Sequence, residues 1–353
     1  MHPLLTIPSS KTTSVEKDLD IFITVPLREQ GPCGRLGKAA EEGQIELETL
    51  ARGDYPGRPL PSNVLPSLRS IGYWDARQRQ NWGLDWHRHE GLEIGFLETG
   101  KMSFWVDGLF CPVDAGYLTI TRPWQLHKSG NPNIEKGRLH WVILDINASH
   151  PNQDWEWPAW IVLSKEDLVE LTNFFRMTET PVLQANKEIA RCFCNIANAV
   201  SAHYDPKVFS RLAVYVNELL LALLEMITQE KVNLDPNLSC TQRTIELFLE
   251  RLGCDLNELQ RPWTVRKMAA ECGVGTTQFT LYCKQYANMT PSNYLRMVRL
   301  ETAKKLLKEK EFSIGRIAEE CGFGSSEYFA TLFRDEYHLT PSQWKEQSEN
   351  KTE

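Results

Sequence analysis

Residues 264–291 read TVRKMAAECGVGTTQFTLYCKQYANMTP, and residues 313–341 read SIGRIAEECGFGSSEYFATLFRDEYHLTP. These are two copies of one pattern. Ala269, Glu271, Cys272 and Gly273 align with Ala318, Glu320, Cys321 and Gly322 at an offset of 49. Phe279, Thr290 and Pro291 align with Phe329, Thr340 and Pro341 at an offset of 50, so one extra residue falls just after the Gly. Each copy reads as a helix, a Gly turn and a second helix, the helix-turn-helix outline. Two such units this close together imply one module that lays two helices into DNA.

In the first unit the pattern predicts helices over 264–272 and 276–287, with Gly273 as the left-handed exit between them. Phe279, Cys283 and Tyr286 recur at i, i+4 and i+7 and are expected to bury. That leaves Thr276, Thr277, Gln278, Thr280, Leu281 and Lys284 outward. In the second unit Phe329, Leu332 and Phe333 are expected to bury, with Ser325, Ser326, Glu327, Ala330, Thr331 and Arg334 outward. Gln278 suits adenine edges, Glu327 the cytosine amino group, and Leu281 and the Thr methyls the thymine methyl. Lys284 and Arg334 lie later in their helices, within reach of phosphate or guanine. Neither second helix has an early Arg, so strong guanine readout is not expected.

Thr290-Pro291 and Thr340-Pro341 each place an N-cap Thr before a Pro at the first helical position. Thr340 with Gln343 makes a capping box. Between the units, 292–309 reads as one helix of about 18 residues and about 27 Å. A spacer of that length can hold two recognition helices roughly 34 Å apart, one DNA turn. It carries the basic run Arg296, Arg299, Lys304, Lys305 and Lys308, from which Arg299 is assigned to phosphate.

The charge balance supports DNA only weakly. The whole chain of 353 residues carries −7. Residues 241–347 hold 15 Lys and Arg against 14 Asp and Glu, so the excess acid lies elsewhere. Nine cysteines form no framework, and Cys192 and Cys194 lack finger or redox spacing, which points to reduced thiols in a cytoplasmic protein. Cys272 and Cys321 are expected to act as small buried apolar residues. The N-terminus shows no basic segment followed by an apolar run, so no secretory signal is expected. The longest apolar stretch, Leu219–Leu224, is too short to span a bilayer, and no membrane partner is expected.

Residues 1–65, rich in Gly, Pro and charge, read as a partly ordered arm with no assigned role. From about 71 to 144, GLEIGFLETG, KMSFWVDG, YLTITRP and RLHWVILD are β-like runs separated by turns, which read as a sandwich or barrel over 66–164. Residues 165–230 turn helical. Leu212, Val216, Leu219, Leu223 and Met226 alternate by four and three, widened by Leu220, Leu224 and Ile227. Such a face can pack on its own barrel or form a seam between two copies, and 165–230 is taken as a dimerisation segment. Residues 231–239 read as a linker and 240–347 as the DNA-binding domain. The expected fold class is α+β multidomain: an N-terminal β-barrel followed by helices, then an all-α domain with two helix-turn-helix motifs.

The C-terminal pattern resembles the AraC/XylS family of bacterial transcription regulators. The matching residues are Ala269, Gly273, Phe279, Pro291, Tyr294, Leu295, Arg299, Ala303, Leu306 and Leu307, then Ile314, Ile317, Ala318, Gly322, Phe323, Phe329, Phe333, Thr340 and Pro341. The family usually has Gly three residues before each of these prolines, where this chain has Asn288 and His338. Both residue types tolerate positive φ better than most. The resemblance implies a sequence-specific regulator of double-stranded DNA, more often an activator, acting as a homodimer with RNA polymerase and a small-molecule effector.

Upstream, His87, His89 and Glu93 are all odd-numbered and would share one face of an extended strand. With Gly100 they resemble the first cupin motif, although Asn81 replaces its leading Gly; Gly116 and His127 resemble the second. In metal-binding cupins four such side chains hold a divalent ion, and an N3O set suits Fe, Mn, Ni or Zn. Cupin-like sensor domains joined to AraC-type modules commonly use their His pairs as pocket lining instead. The reading taken is the second: a cupin-like barrel without metal or cofactor, binding a sugar or related metabolite. His87, His89, Glu93 and His127 line its pocket, Trp141 stacks on the ligand, and Arg122 pairs with a carboxylate or sugar hydroxyls. The chain is not expected to be an enzyme. The rival is a metal-dependent cupin dioxygenase or isomerase fused to a DNA-binding module.

Overall fold

The computed structural model describes residues 34–349 apart from 90, 179, 203–206, 231, 233, 255 and 309–311. The chain opens with α1 (Gly34–Glu41), β1 (Glu46–Ala51), β2 (Arg58–Pro59), β3 (Leu68–Ala76), β4 (Leu84–His87) and β5 (Leu92–Thr99). The strands β6 (Lys101–Val106), β7 (Leu109–Asp114), β8 (Tyr117–Thr121), β9 (His127–Ser129) and β10 (Gly137–Leu144) follow. Next come α2 (Lys165–Met177), β11 (Val182–Gln184), α3 (Lys187–Ser201) and α4 (Val208–Glu230). The strands form one sheet in the order β11-β8-β5-β10-β3-β1-β2 and a second in the order β4-β9-β6-β7.

Period-two alternation sorts side chains between two cores. On β10, Leu139, Trp141 and Ile143 point into the barrel, where they meet Trp74, Leu97, Met102, Phe104 and Val106. Val142 and Leu144 face the other way, with Ile71, Ile94, Phe96, Leu118 and Ile120, onto a layer of helices. All four expected β-runs are strands. The barrel, however, begins before residue 66. β1 pairs with β3 from Glu46↔Asp75 to Ala51↔Ser70, and Leu50 is buried in the core. ELETLA carries a weak strand signal because half of its positions are Glu or Ala; pairing with β3 makes it a strand. Of the expected arm, residues 1–33 lie outside the described residues, while α1 and β1 belong to the barrel.

The α4 seam is core. Leu212, Val216, Leu219, Leu220 and Leu223 have no exposed surface and pack with α3 (Ile189, Phe193, Ile196, Val200) over the large sheet. Each fully buried side chain of this kind is worth about 1.5–3 kcal/mol. A two-residue seam needs only a and d positions; the added Leu220, Leu224 and Ile227 widen the face to what a sheet-covering helix requires. A dimer interface through Leu219 and Leu223 is therefore unavailable, and the α4 side chains left exposed include Val214 and Leu221. α4 is long and apolar enough to cross a membrane by composition, yet half of that stretch is buried inside the molecule.

After a short 3-10 turn at Pro236–Ser239, every described element is helical: α5 (Thr241–Cys254), α6 (Leu256–Gln260), α7 (Val265–Glu271), α8 (Thr276–Ala287), α9 (Pro291–Leu306), α10 (Ile314–Glu320), α11 (Ser326–Tyr337) and α12 (Pro341–Glu349). The caps follow the expected chemistry. Thr290 accepts from the Asn293 N–H with Pro291 at the first helical position. Thr340 and Gln343 form the reciprocal box, at 2.9 Å and 3.3 Å. Asn288 and His338 end α8 and α11 in the left-handed region, at φ 54° and 59°, so the missing glycines are replaced by residues that reach the same conformation. Each unit has its own core, around Phe279 and Cys283 in the first and Phe329 and Phe333 in the second. Cys272 and Cys321 are buried, and burial pushes both thiols up to about 12, which keeps them protonated.

The turn of the second unit allows a sharp test. Gly322 sits at φ 73°, where a Cβ would lie 2.5 Å from the Leu259 carbonyl oxygen and 2.6 Å from Arg299 Nη2. Gly324, the neighbouring turn glycine, would meet nothing within 4 Å. Gly322→Ala is expected to destabilise the module by about 1–3 kcal/mol, whereas Gly324→Ala is near neutral. Urea midpoints of the two variants decide it, and equal midpoints would contradict this geometry.

Candidate functional site

Three imidazoles meet in the barrel. His87 ends β4 and is directly paired with His127 at the start of β9. His89 follows in the turn after β4, and Glu93 reaches in from β5. His87, His89 and Glu93 therefore converge with His127 through a change of strand, not along one strand as the odd numbering of the first three suggested. Gly91 permits the turn, since a Cβ there would lie 2.5 Å from the Leu144 carbonyl oxygen. The ring centroids lie 4.2–4.9 Å apart, and all three histidines are buried.

Each ring is fixed at Nδ1. His87 Nδ1 is 2.5 Å from the Asp85 carbonyl oxygen, His127 Nδ1 is 3.2 Å from that of Gln125, and His89 Nδ1 is 3.1 Å from the Tyr55 hydroxyl. The opposite edges of His89 and His127 face Glu93, whose Oε2 lies 3.1 Å from His89 Nε2 and 3.3 Å from His127 Nε2 and accepts from the Thr121 hydroxyl at 3.0 Å. His127 Nε2 is nonetheless buried without a well-angled hydrogen bond. One ligand atom from each histidine lies within 4.8 Å of the others. Rings anchored at one nitrogen and converging at the other are the arrangement that orients metal-binding histidines, so the set fits a divalent ion; bonds of about 2.1 Å would draw the donors closer.

Burial, reinforced by His127 and His89, holds His87 well below the ordinary imidazole range. For Glu93 burial acts upward, but the charges of His89 and His127 and their hydrogen bonds outweigh it and keep the carboxyl well below its ordinary range. Outside the cluster, burial and then Arg251 hold His150 at about 4, against an ordinary 6.5. An unfolded chain takes up a proton at His150 near pH 6.5, the folded chain only near 4. Stability therefore falls as pH drops through that window, by at most about 3 kcal/mol from this residue. Urea unfolding at pH 7 and pH 5 is expected to show the loss, and His150→Asn to reduce it; an equal loss in both proteins would assign the effect elsewhere.

Trp141 lines the same interior, one inward-facing position along from the Ile143–Glu93 pair. Its Nε1 donates to Ser70 Oγ at 2.8 Å, which fixes the ring. Arg122 is not in the pocket. It is buried, donates to the carbonyl oxygens of Phe175 and Thr178 and, at 2.8 Å, to Gln125 Oε1, and so ties the β8 end to the end of α2. Sequence reading missed Tyr55, in a loop between Gly53 and Gly57, both at positive φ. Glycines bracketing an aromatic residue were its only signal, within a segment that had been given no role.

In the helical module Thr276, Thr277, Gln278, Leu281 and Lys284 are exposed along α8 and Thr280 is half-buried. Ser325, Ser326, Glu327, Thr331 and Arg334 are exposed along α11. Thr280 and Thr331 donate their hydroxyls to the carbonyls one turn back, at 2.7 Å and 2.9 Å, so their methyl groups are what remain to offer. Glu327 is held below the ordinary carboxylate range by its own backbone N–H and by Ser325, and stays ionised. Tyr286, expected to bury, is 40% exposed and donates to Glu250 Oε1 at 3.2 Å, because the facing α5 offers a carboxylate there instead of an apolar slot. Tyr328 was missed. It is 57% exposed on α11, at the position equivalent to Gln278 by the repeat offset.

Arg299, expected at phosphate, is instead turned onto the protein backbone. It is half-buried, donates to the Leu259 carbonyl at 2.9 Å and to that of Arg261 at 3.0 Å, and lies against Gly322. Lys304 is likewise turned inward, 3.4 Å from Glu301 and 4.7 Å from the centre of the Tyr337 ring. Of the basic run, Arg296 and Lys308 remain exposed.

A family described as "Helix-turn-helix domain" matches residues 268–347, and one described as "Cupin domain" matches residues 79–143. The chain is 33% identical over 132 residues to the HTH-type transcriptional activator RhaR of Klebsiella pneumoniae subsp. pneumoniae, covering 37% of this chain and 46% of that protein. It is 28% identical over 180 residues to the HTH-type transcriptional activator RhaS of Klebsiella pneumoniae, covering 51% and 60%. The chain thus spans about half the length of the curated relatives it matches. A solved AraC-type regulator domain from Chromobacterium violaceum is 28% identical, with a TM-score of 0.28, covering 31% of this chain and 94% of that one. Repeat, caps and family matches agree: the chain carries a helix-turn-helix domain, similar to those of AraC-type regulators, preceded by a cupin domain.

Proposed function

We propose that the chain is a sequence-specific DNA-binding transcription regulator, working as an activator, whose action on DNA answers a small molecule held in the barrel. The observation that carries this reading is the pair of exposed faces on α8 and α11, each capped, each backed by its own core, and joined through α9. At 16 residues α9 is about 24 Å long, which suits two recognition helices in successive major-groove segments. Gln278 and Tyr328, at equivalent positions, would meet base edges; Lys284, Arg296 and Arg334 would meet phosphate. In the barrel, His87, His89, Glu93, His127, Thr121 and Tyr55 offer hydrogen bonds to a hydroxyl-rich ligand such as a sugar, and Trp141 offers an indole wall. The same reading places the protein in the cytoplasm, paired with a second copy through a surface other than the buried α4 seam, and in contact with RNA polymerase.

Selection of duplexes from a random pool by the purified protein tests the reading. Enrichment of one motif with two conserved blocks is expected. Gln278→Ala and Tyr328→Ala should each relax one block, by about 1–3 kcal/mol at the base pair concerned. Recovery of unenriched sequences would sink the proposal.

One observation favours a second reading of the barrel, in which a divalent ion is part of the site. All three Nδ1 atoms are engaged, one ligand nitrogen from each histidine lies within 4.8 Å of the others, and Glu93 stands against the Nε2 atoms of His89 and His127; three nitrogens with a carboxylate oxygen would suit Fe, Mn, Ni or Zn. Such an ion would supply a Lewis-acidic anchor for ligand oxygens. Stoichiometric metal in the purified protein, lost in His89→Ala, is the expected result; no metal in either protein would leave the sugar pocket as the better reading.

A further inference from the structure

A thin polar seam joins the barrel to the first helix-turn-helix unit. On the barrel side stand Arg88, Asp107, His150 and Asn152; on the other stand Arg243 and Arg251 of α5, with Glu271 and Cys272 at the end of α7. Asn152 Nδ2 donates to the Cys272 carbonyl at 3.2 Å. Arg251 holds Glu271 at 3.2 Å. His150 is buried, and the charges acting on it are those of Arg251, Glu271 and Arg88. Asp107, which accepts from Gln125 Nε2 at 2.9 Å, feels Arg243 of α5.

Both routes lead back to the imidazoles. Arg88 lies between His87 and His89 in the chain, so a shift of the backbone at either histidine carries it along, and its charge acts on His150. Gln125 holds His127 through its carbonyl and Asp107 through its side chain. On the module side, Cys272 is the C-cap of α7, the residue from which the chain turns towards α8. The seam is also incompletely paired: Asn152 Oδ1 and Arg251 Nε are buried without a hydrogen-bond partner. Buried polar atoms left unmatched cost free energy in this arrangement, so an arrangement that paired them would recover that cost, which is the kind of differential a two-state coupling element uses.

We propose that this seam carries the state of the His87–His89–His127–Glu93 cluster to the turn between α7 and α8, with Arg88 and the Gln125–Asp107 pair as senders and Asn152–Cys272 as the receiving contact. The proposal rests on the reading of the cluster as the regulatory site, but its test does not require the natural ligand.

The cluster is perturbed by Glu93→Gln in the full chain, and amide hydrogen exchange is followed at Cys272, Gly273 and Val274, whose N–H groups close the turn on Met268, Ala270 and Ala269. Exchange there is expected to change by about threefold or more in Glu93→Gln, and not to change when Asn152→Ala is also present. Arg88→Ala should weaken the same response. An unaltered turn in Glu93→Gln, with exchange altered in β4 and β9, would overturn the proposal; so would an equal change with and without Asn152. Should Glu93→Gln fail to fold, His127→Asn gives the same comparison. Failure of the sugar or metal assays would count against the ligand reading, and failure here against the seam.

Discussion

Leu223→Asp is expected to unfold the barrel and its covering helices, not to dissociate a dimer. The side chain has no exposed surface and sits where α4 meets α3 above the large sheet. Losing its burial costs about 1.5–3 kcal/mol, and an unpaired carboxyl in that core adds several more. The sum rivals the roughly 5–15 kcal/mol that holds a whole domain together. Leu221→Asp, two positions earlier at 45% exposure, is the control and should leave stability within about 0.5 kcal/mol. Thermal melts by circular dichroism should show the first transition lost in Leu223→Asp, with a helical transition from the C-terminal module retained. A normal melt for Leu223→Asp would return α4 to a seam between copies.

Arg299→Ala is expected to loosen the helix-turn-helix module as a whole. The guanidinium joins α9 to the carbonyls of Leu259 and Arg261 and packs on the Gly322 turn of the second unit. Removing a charged donor from part-buried carbonyls costs about 1.5–3 kcal/mol. Binding to every DNA sequence should fall, because the relative placement of α8 and α11 depends on this bracket. Arg296→Ala, at an exposed position on the same helix, should instead keep stability, weaken all sequences alike and reduce the salt slope by about one. Urea titration separates the two; an Arg299→Ala protein of unchanged stability but uniformly weaker DNA binding would restore the phosphate role.

Local chemistry explains what was legible beforehand. Helix caps, the left-handed turns at Asn288 and His338, and the burial of Phe279 and Phe333 are decided within a few residues, by hydrogen bonds and periodicity that a linear reading can follow. The repeat then turned local signals into an architecture. Strand runs with clean alternation were equally plain, whereas ELETLA was not, because its strand state is imposed by β3.

Long side chains were where the linear reading failed. Arg122, Arg299 and Lys304 looked like ligands for a substrate or for DNA, yet each is spent on a carbonyl, a carboxylate or a ring far off in the chain. An Arg on an apparently exposed helix face looks the same in sequence whether it meets solvent or a distant backbone. His87, His89 and Glu93 were expected along one strand face, but they meet each other and His127 across a turn and a strand pair. The sequence alone determined two helix-turn-helix units, a barrel ahead of them and the outward residues of α8, because these follow from short-range periodicity. Only the tertiary structure decided which cations are free, that α4 is core, that Tyr55 reaches His89, and that Asn152 touches Cys272, because each depends on contacts between residues distant in the chain.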